Sequence, residues 1–220
     1  MATIAIFGGT GYAGAAIRDE ALKRGHHVIS ISRTVPASDE SDIPGLEYRY
    51  GSVHDVALVD EVAGDADVVV VSIRFAHHGS GEGLKLIDAF PVLTRACAAH
   101  GTRLGVVGGA ASLLVADGGP RLIDTPEFPE QFKAEAASAA EMLEALRAGT
   151  TGVDWFFVSP AAEFGSYNPG EPTGKYRVGG DILLTDESGK SEISGADFAL
   201  AFVDEIDKPA HHRTRFTVAY

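Results

Sequence analysis

The sequence is poor in cysteine and in basic residues. A single cysteine, Cys97, excludes an internal disulfide framework and a cysteine-rich zinc site. Lysine and arginine number 18 against 31 aspartates and glutamates, which gives a net charge of −13 at pH 7. That charge argues against nucleic acid and anionic membranes as partners. An anionic ligand would have to be held locally, by backbone amides or by a few arginines.

Long hydrophobic runs are also missing. No apolar segment reaches the roughly 18 residues of a membrane-spanning helix, and residues 1–4 lack the basic region of a signal peptide. We therefore expect a cytoplasmic protein that does not enter a membrane. Its 220 residues, 45% hydrophobic and 22% charged, suit one packed domain over 1–220.

Short apolar strands alternate with amphipathic helical segments up to residue 159. The unbroken run from Val68 to Val71 predicts a strand that is covered on both faces. The alternation predicts an α/β fold, a doubly wound Rossmann-type sheet that is mostly parallel. Strands are predicted at 3–7, 27–32, 46–50, 67–72, 103–107, 153–159 and 215–220, and helices begin near 12, 84, 126 and 194.

The composition of the sequence changes after Pro160. Residues 161–193 contain six glycines and only short apolar pieces. We predict an irregular insertion on the substrate side of the domain, a small C-terminal lobe with a hairpin of 176–178 and 182–184. Ser194 and Asp197 resemble a capping box at the start of the next helix.

A glycine-rich loop follows the first strand and opens the first helix. Its glycines at 8, 11 and 14 form the pattern G-x-x-G-x-x-G, in the context that a dinucleotide-phosphate loop requires. Amides at a helix N-terminus favour a pyrophosphate there. The alternative is a glycine turn that packs without a ligand. Candidate cofactor contacts are Gly8, Thr10, Gly11, Tyr12 and Gly14.

The end of the second strand indicates which nicotinamide cofactor is preferred. An NAD site usually places an acid there for the ribose 2′-hydroxyl, but this strand ends in Ile31-Ser32-Arg33-Thr34. A guanidinium matches a 2′-phosphate in charge and geometry. We therefore expect NADP, with NADPH preferred over NADH, the alternative being that Arg33 is a solvated surface residue.

Other cofactor contacts are expected beyond the carboxyl ends of the remaining strands, where ligands of such sheets bind. Ser52 and Val53 would lie near the adenine. The phosphates and ribose would meet Ser72, Ile73 and Arg74, and the nicotinamide would be bordered by Gly108, Gly109 and Pro160.

These motifs resemble the atypical short-chain dehydrogenase/reductase superfamily. The branch is that of small NAD(P)H-flavin reductases, related to biliverdin reductase B and to NmrA-like proteins. The resemblance covers essentially the whole chain. It rests on the glycine loop, Val107-Gly108-Gly109-Ala110-Ala111-Ser112, Asp154-Trp155-Phe156-Phe157-Val158-Ser159-Pro160 and Ile193-Ser194-Gly195-Ala196-Asp197-Phe198-Ala199.

The chain departs from the superfamily at its usual catalytic pair. Typical members carry Tyr-x-x-x-Lys on the helix after the fifth strand, but here Pro129 stands four residues before Lys133, and no tyrosine has a lysine four residues later. This argues against alcohol–ketone chemistry that needs a phenolic acid. A flavin or quinone can take its proton from solvent or a weak acid.

Three residues are candidates for catalysis. Ser112 could donate to a substrate carbonyl, or cap the next segment. Lys133 could hold the ribose or polarise the acceptor, or be a solvated helix residue. His77, beside His78 in the loop after the fourth strand, could donate a proton near neutral pH, or belong to a polar lid. We expect no metal, because the sequence implies no third ligand.

The sequence therefore predicts an oxidoreductase, an NADPH-dependent reductase of a flavin, quinone or similar conjugated acceptor. The resemblance keeps a non-catalytic, NmrA-like NADP(H) sensor as the alternative, and a sugar epimerase or dehydratase as a weaker one. The acceptor is expected to be a small molecule, flat and aromatic, for which Phe164 and Tyr167 are the candidate platform; the alternative is that Phe164 packs in the core. The protein is expected to be a monomer or homodimer.

Overall fold

The computed structural model describes residues 1–34, 43–75 and 84–220, which form eight strands and five α-helices. No helix of this described part is long and apolar enough to cross a bilayer. In chain order the elements are β1 (Thr3–Phe7), α1 (Tyr12–Lys23), β2 (His27–Ser32), β3 (Leu46–Tyr50), α2 (Val56–Asp65), β4 (Val68–Val71), α3 (Leu86–His100), β5 (Arg103–Val107), α4 (Lys133–Ala148), β6 (Trp155–Ser159), β7 (Arg177–Gly179), α5 (Gly195–Asp207) and β8 (Thr214–Ala219).

The strands form one sheet in the order β3-β2-β1-β4-β5-β6-β8-β7. Neighbouring strands are parallel except β7, which pairs antiparallel with β8. The predicted doubly wound Rossmann-type fold is therefore confirmed. The strand order reverses between β1 and β4, and the crevice beyond the carboxyl ends at that point is where such sheets bind ligands.

The core has two layers, one on each face of the sheet. Helices α2, α3 and α4 cover one face, and α1 and α5 cover the other. The four valines of β4 are at most 5% exposed. Because successive side chains of a strand point to opposite faces, Val69 and Val71 pack in the first layer and Val68 and Val70 in the second. The unbroken apolar run is explained by this double cover.

One predicted helix begins at the wrong residue, and one predicted hairpin does not form. Helix α4 begins at Lys133 rather than near 126, and two short 3₁₀ turns, Leu122–Asp124 and Glu130–Phe132, precede it. Pro129 is the reason, because a proline has no amide to donate and keeps the preceding residue out of helical geometry. Residues 182–184 form no hairpin with β7, since Leu183 donates its amide to Leu114 (2.8 Å).

Asp197 in α5 holds the C-terminal lobe in place through several hydrogen bonds. Its amide donates to the Ser194 hydroxyl (3.1 Å), as the capping box predicts, but its carboxylate turns away from the helix start. The carboxylate accepts from the Thr173 amide (2.6 Å), the Gly174 amide (2.9 Å) and the Tyr220 hydroxyl (2.6 Å). Burial works to raise the pKa of Asp197, but these hydrogen bonds outweigh burial and lower the pKa.

We predict that Asp197→Asn destabilises the protein at neutral pH and that the difference shrinks in acid. A lowered folded-state pKa stabilises the fold above the unfolded value, near 4, and this contribution is lost as the pH falls through the folded pKa. Hydrogen bonds to a charged group are worth about 1.5–3 kcal/mol. Urea unfolding at pH 7 and below pH 4 measures the difference in the free energy of unfolding between the variant and the wild type. Asp117→Asn, at an exposed position, is the control. A difference that does not change with pH would contradict it.

Candidate cofactor and acceptor site

The glycine loop is clamped between the ends of two strands. Gly8 has φ +89°, and a Cβ atom there would overlap the Ser72 carbonyl oxygen after β4. Its amide donates to the carbonyl of Ile31 in β2 (2.8 Å), and its own carbonyl accepts from the Gly11 amide (3.0 Å). Glycine is required at position 8 because other residues avoid this conformation. The loop is therefore held at the point where the strand order reverses.

At the other glycines of the loop, different contacts limit the space for a side chain. A Cβ atom at Gly14 would overlap the Gly8 carbonyl oxygen, and one at Gly9 would overlap the Ser30 hydroxyl, so packing alone explains both. Gly11 is exposed, has φ −78°, and a Cβ atom there would lie 3.3 Å from the Gly8 carbonyl oxygen. That contact is tight, but it restricts position 11 less than the overlaps at positions 8, 9 and 14.

Gly11 is the N-cap of α1, and within the described residues no side chain caps this helix. The first amides of a helix have no partner within it, so those of Tyr12, Ala13 and Gly14 can donate to a ligand. Together with the positive end of the helix dipole they form a donor set that fits a pyrophosphate. The loop is therefore suited to a dinucleotide by its uncapped amides, more than by its glycine count.

The Tyr12 side chain points away from this donor set. Its ring lies 5.4 Å from that of Phe164, its hydroxyl donates to the Pro169 carbonyl (3.4 Å), and burial raises the pKa of the phenol. Phe164 also lies 4.6 Å from Phe198, so it belongs to the aromatic core. Tyr167 is 70% exposed. Any contribution of Tyr12 to a cofactor thus rests on its backbone amide.

The ends of the strands beside β1 carry two arginines. Arg33 follows β2 and Arg74 follows β4, and both are exposed. Ser72 and Ile73 are half-buried against Gly8. After β3, the Ser52 hydroxyl accepts from the His54 amide (3.3 Å), while Val53 is buried in the core. In an acidic chain, two cations therefore flank the loop that presents the free amides.

The ends of β5 and β6 form the other half of the crevice. A Cβ atom at Gly108 would overlap the Phe157 ring, and the Gly108 amide donates to the Val158 carbonyl (2.9 Å). Among the described residues, a Cβ atom at Gly109 would meet Ala139 alone, at 3.7 Å. Pro160 is buried directly after β6. Packing against the described residues therefore leaves space for a side chain at position 109.

The three catalytic candidates are placed differently. Ser112 is half-exposed after β5, and its hydroxyl accepts from Arg215 Nη1 (3.3 Å). Lys133 is the first residue of α4 and lies 2.6 Å from Glu130 Oε2, with 45% of its side chain exposed, as a surface lysine would be. His77 lies outside the described residues, as does His78.

Sequence reasoning missed Arg215. It lies in β8, and only 2% of its side chain is exposed. It contacts Ser112 and Ser159, which follow or end two neighbouring strands, and Asp181 of the C-terminal lobe. The one available signal was a lone arginine inside the last apolar strand, since arginine is rarely buried without a partner.

Known proteins are similar to this chain in sequence and in fold. A family model described as NAD(P)H-binding matches residues 8–209. The uncharacterized protein YwnB of Bacillus subtilis (strain 168) is 39% identical over 216 residues, 98% of this chain and 97% of that protein. The crystal structure of a "putative NADH-flavin reductase" from Streptococcus pneumoniae TIGR4 is 33% identical with a TM-score of 0.84, covering 100% of this chain and 99% of that chain. A "putative epimerase" from Bacteroides thetaiotaomicron has the same identity and TM-score, over 99% and 96% of the two chains. These similarities confirm the predicted resemblance.

We predict that Gly14→Ala destabilises the protein although alanine favours helices. The added methyl group would overlap backbone, and such overpacking costs about 1–3 kcal/mol, more than the roughly 0.5–1 kcal/mol that alanine gains over glycine in a helix. Gly180→Ala is the control, because a Cβ atom there meets no atom of the described residues within 4 Å. Urea unfolding compares the two. A Gly14→Ala protein as stable as the wild type would show that the loop does not pack this way.

Proposed function

The chain belongs to the NAD(P)H-binding family, and from that premise we propose that it is an NADPH-dependent reductase of a flavin, a quinone or a similar conjugated acceptor. One observation carries the proposal. The uncapped N-terminus of α1 lies where the strand order reverses, with Arg33 and Arg74 on either side. An acidic chain that gathers free amides and two cations at one point is suited to a phosphorylated dinucleotide.

Each part of the cofactor has proposed partners in this chain. The amides of residues 12–14 would hold the pyrophosphate, and Arg33 the 2′-phosphate. The Ser32 hydroxyl donates to the Thr34 carbonyl (2.6 Å), so its proton is already engaged and the guanidinium supplies the discrimination. Ser52 and Val53 would border the adenine, and Gly108, Gly109 and Pro160 the nicotinamide.

The acceptor would lie over the nicotinamide end of the crevice. When bound, the reduced nicotinamide supplies a hydride. Ser112 is the proposed hydrogen-bond donor to the acceptor, and His77, which lies outside the described residues, is a proposed proton donor. For Lys133 we propose at most a secondary role, because Glu130 already neutralises it at the surface. Besides the hydride, a conjugated acceptor takes up one proton, which would come from water, directly or through His77, in place of a tyrosine.

A non-catalytic NADP(H) sensor is the second candidate. The observation that favours it is the missing tyrosine four residues before Lys133, where Pro129 begins a 3₁₀ turn instead. The Bacteroides relative's name points to an epimerase, which needs room for a larger substrate. The cofactor half of the site serves all three functions equally, so turnover has to separate them.

A panel of acceptors tests the proposal. Purified protein is mixed with NADPH and, in turn, riboflavin, FMN, FAD and soluble quinones, and the absorbance of the reduced nicotinamide is followed. We expect oxidation of NADPH with at least one of them. Absence of turnover across the panel, with cofactor binding intact, would leave the sensor. Competition by UDP-sugars at micromolar levels would favour the epimerase.

We predict that Arg33→Ala weakens NADPH binding and spares NADH. Charge-assisted hydrogen bonds are worth about 1.5–3 kcal/mol, which is at least about tenfold in affinity. Titrations that follow nicotinamide fluorescence compare both cofactors in the wild type and the variant. Arg95→Ala, at an exposed position of α3, is the control and should change neither affinity. Equal losses for NADPH and NADH would contradict the assignment of Arg33 to the 2′-phosphate.

A further inference from the structure

Arg215 divides its hydrogen bonds between the C-terminal lobe and the acceptor end of the crevice. Its Nε donates to Asp181 Oδ1 (2.6 Å), and its Nη2 donates to the same oxygen. Its Nη1 donates to the hydroxyls of Ser112 and Ser159, each at 3.3 Å. One edge of the guanidinium is thus held by a carboxylate, and its far end faces two serines.

The donor inventory fixes the direction of these hydrogen bonds. A guanidinium has five N–H donors and no acceptor, whereas a hydroxyl has one proton and two lone pairs. Each serine next to Arg215 must therefore accept, and its own proton must point elsewhere. Ser159 is fully buried, but Ser112 is partly exposed. Of the two protons, that of Ser112 is the one available to a bound molecule.

Stability alone is a poor reason for this arrangement. A buried ion pair often contributes little, because removing both charges from water opposes their attraction. Burial accordingly lowers the pKa of Arg215, while Asp181 partly offsets it. Asp181 Oδ1 also accepts from Arg147 Nη2 (3.0 Å), so two cations share one carboxylate. Arg147 also donates to Glu144 Oε1 (3.0 Å), and Arg215 is the cation of this pair that contacts Ser112.

We propose that Arg215 is a positioning residue that makes the Ser112 hydroxyl a hydrogen-bond donor toward the acceptor. The inference rests on the proposed reductase function and narrows its substrate class. The acceptor must present a carbonyl oxygen or ring nitrogen conjugated to the atom that receives the hydride. The displaced π electron pair settles on that oxygen or nitrogen, where a donor held in advance stabilises the developing negative charge. Water then supplies the proton, so Ser112 is unchanged.

A double-mutant cycle tests whether Arg215 acts through Ser112. We measure kcat and KM with a flavin or quinone for the wild type, Ser112→Ala, Arg215→Gln and the double variant. Loss of one such donor costs about 100-fold or more in kcat. We expect Ser112→Ala and Arg215→Gln each to show the larger part of that roughly 100-fold loss. In the Ser112→Ala background, Arg215→Gln should cost less than about twofold, with KM for NADPH unchanged. Equal losses in both backgrounds would overturn the proposal.

Ser159→Ala is the matched control, because it removes the other hydroxyl that Arg215 contacts. It should keep kcat within about twofold of the wild type; a loss as large as that of Ser112→Ala would overturn the proposal. If Arg215→Gln does not fold, Asp181→Asn weakens the hold on the guanidinium from a half-exposed position. The decrease in kcat caused by Asp181→Asn should likewise vanish in the Ser112→Ala background. A decrease of the same size in that background would overturn the proposal.

A readout without cofactor or acceptor completes the test. In urea unfolding of the cofactor-free proteins, the Ser112→Ala and Arg215→Gln shifts in midpoint should be non-additive, because the two groups touch. Additive shifts would overturn the contact and the proposal with it. A wild type that reduces no acceptor would overturn the proposed function and this inference together. That case is distinguishable, because the wild type itself is then inactive.

Discussion

The site depends on one close approach of backbone to backbone, between Gly8 and Gly14. No side-chain atom fits between the Gly8 carbonyl and the Cα atom of Gly14. Helix α1 therefore starts directly against the end of β1, at the point where the strand order reverses. Its first amides have no side-chain cap and open toward the crevice. The positions of Arg33 and Arg74 matter because they flank this fixed helix start.

The acidity of the chain makes local placement of donors decisive. With a net charge of −13, the protein as a whole repels an anionic ligand, so affinity must come from amides and cations at short range. The C-terminal lobe is likewise held by a few polar contacts. The buried Asp197 carboxylate holds residues 173–174 against α5, and the buried Arg215 guanidinium links the half-exposed Asp181 to Ser112. The position of the lobe beside the ends of β5 and β6 thus depends on polar contacts between residues far apart in sequence.

Much of the fold was predictable because local patterns record burial. The valine run of β4 shows a strand covered twice, and the glycine loop between strand and helix shows where the helix starts. The pairing of residues 182–184 was not predictable, since their partner, Leu114, lies far away in sequence. The orientation of the Tyr12 side chain toward Phe164 and Pro169 was not predictable for the same reason, because these partners also lie far away in sequence. Arg215 and Ser112 are 103 residues apart, and no periodicity encodes such a contact.

The most direct measurement of the central claim is an amide NMR titration of the ¹⁵N-labelled protein with NADPH. The account predicts that the amide resonances of Tyr12, Ala13 and Gly14 shift strongly and saturably, because these groups would donate to the pyrophosphate. Amides at the carboxyl ends of β2 and β4 should shift with them. Saturable binding that leaves the amide resonances of residues 12–14 unshifted would contradict the account, because the cofactor would then bind elsewhere.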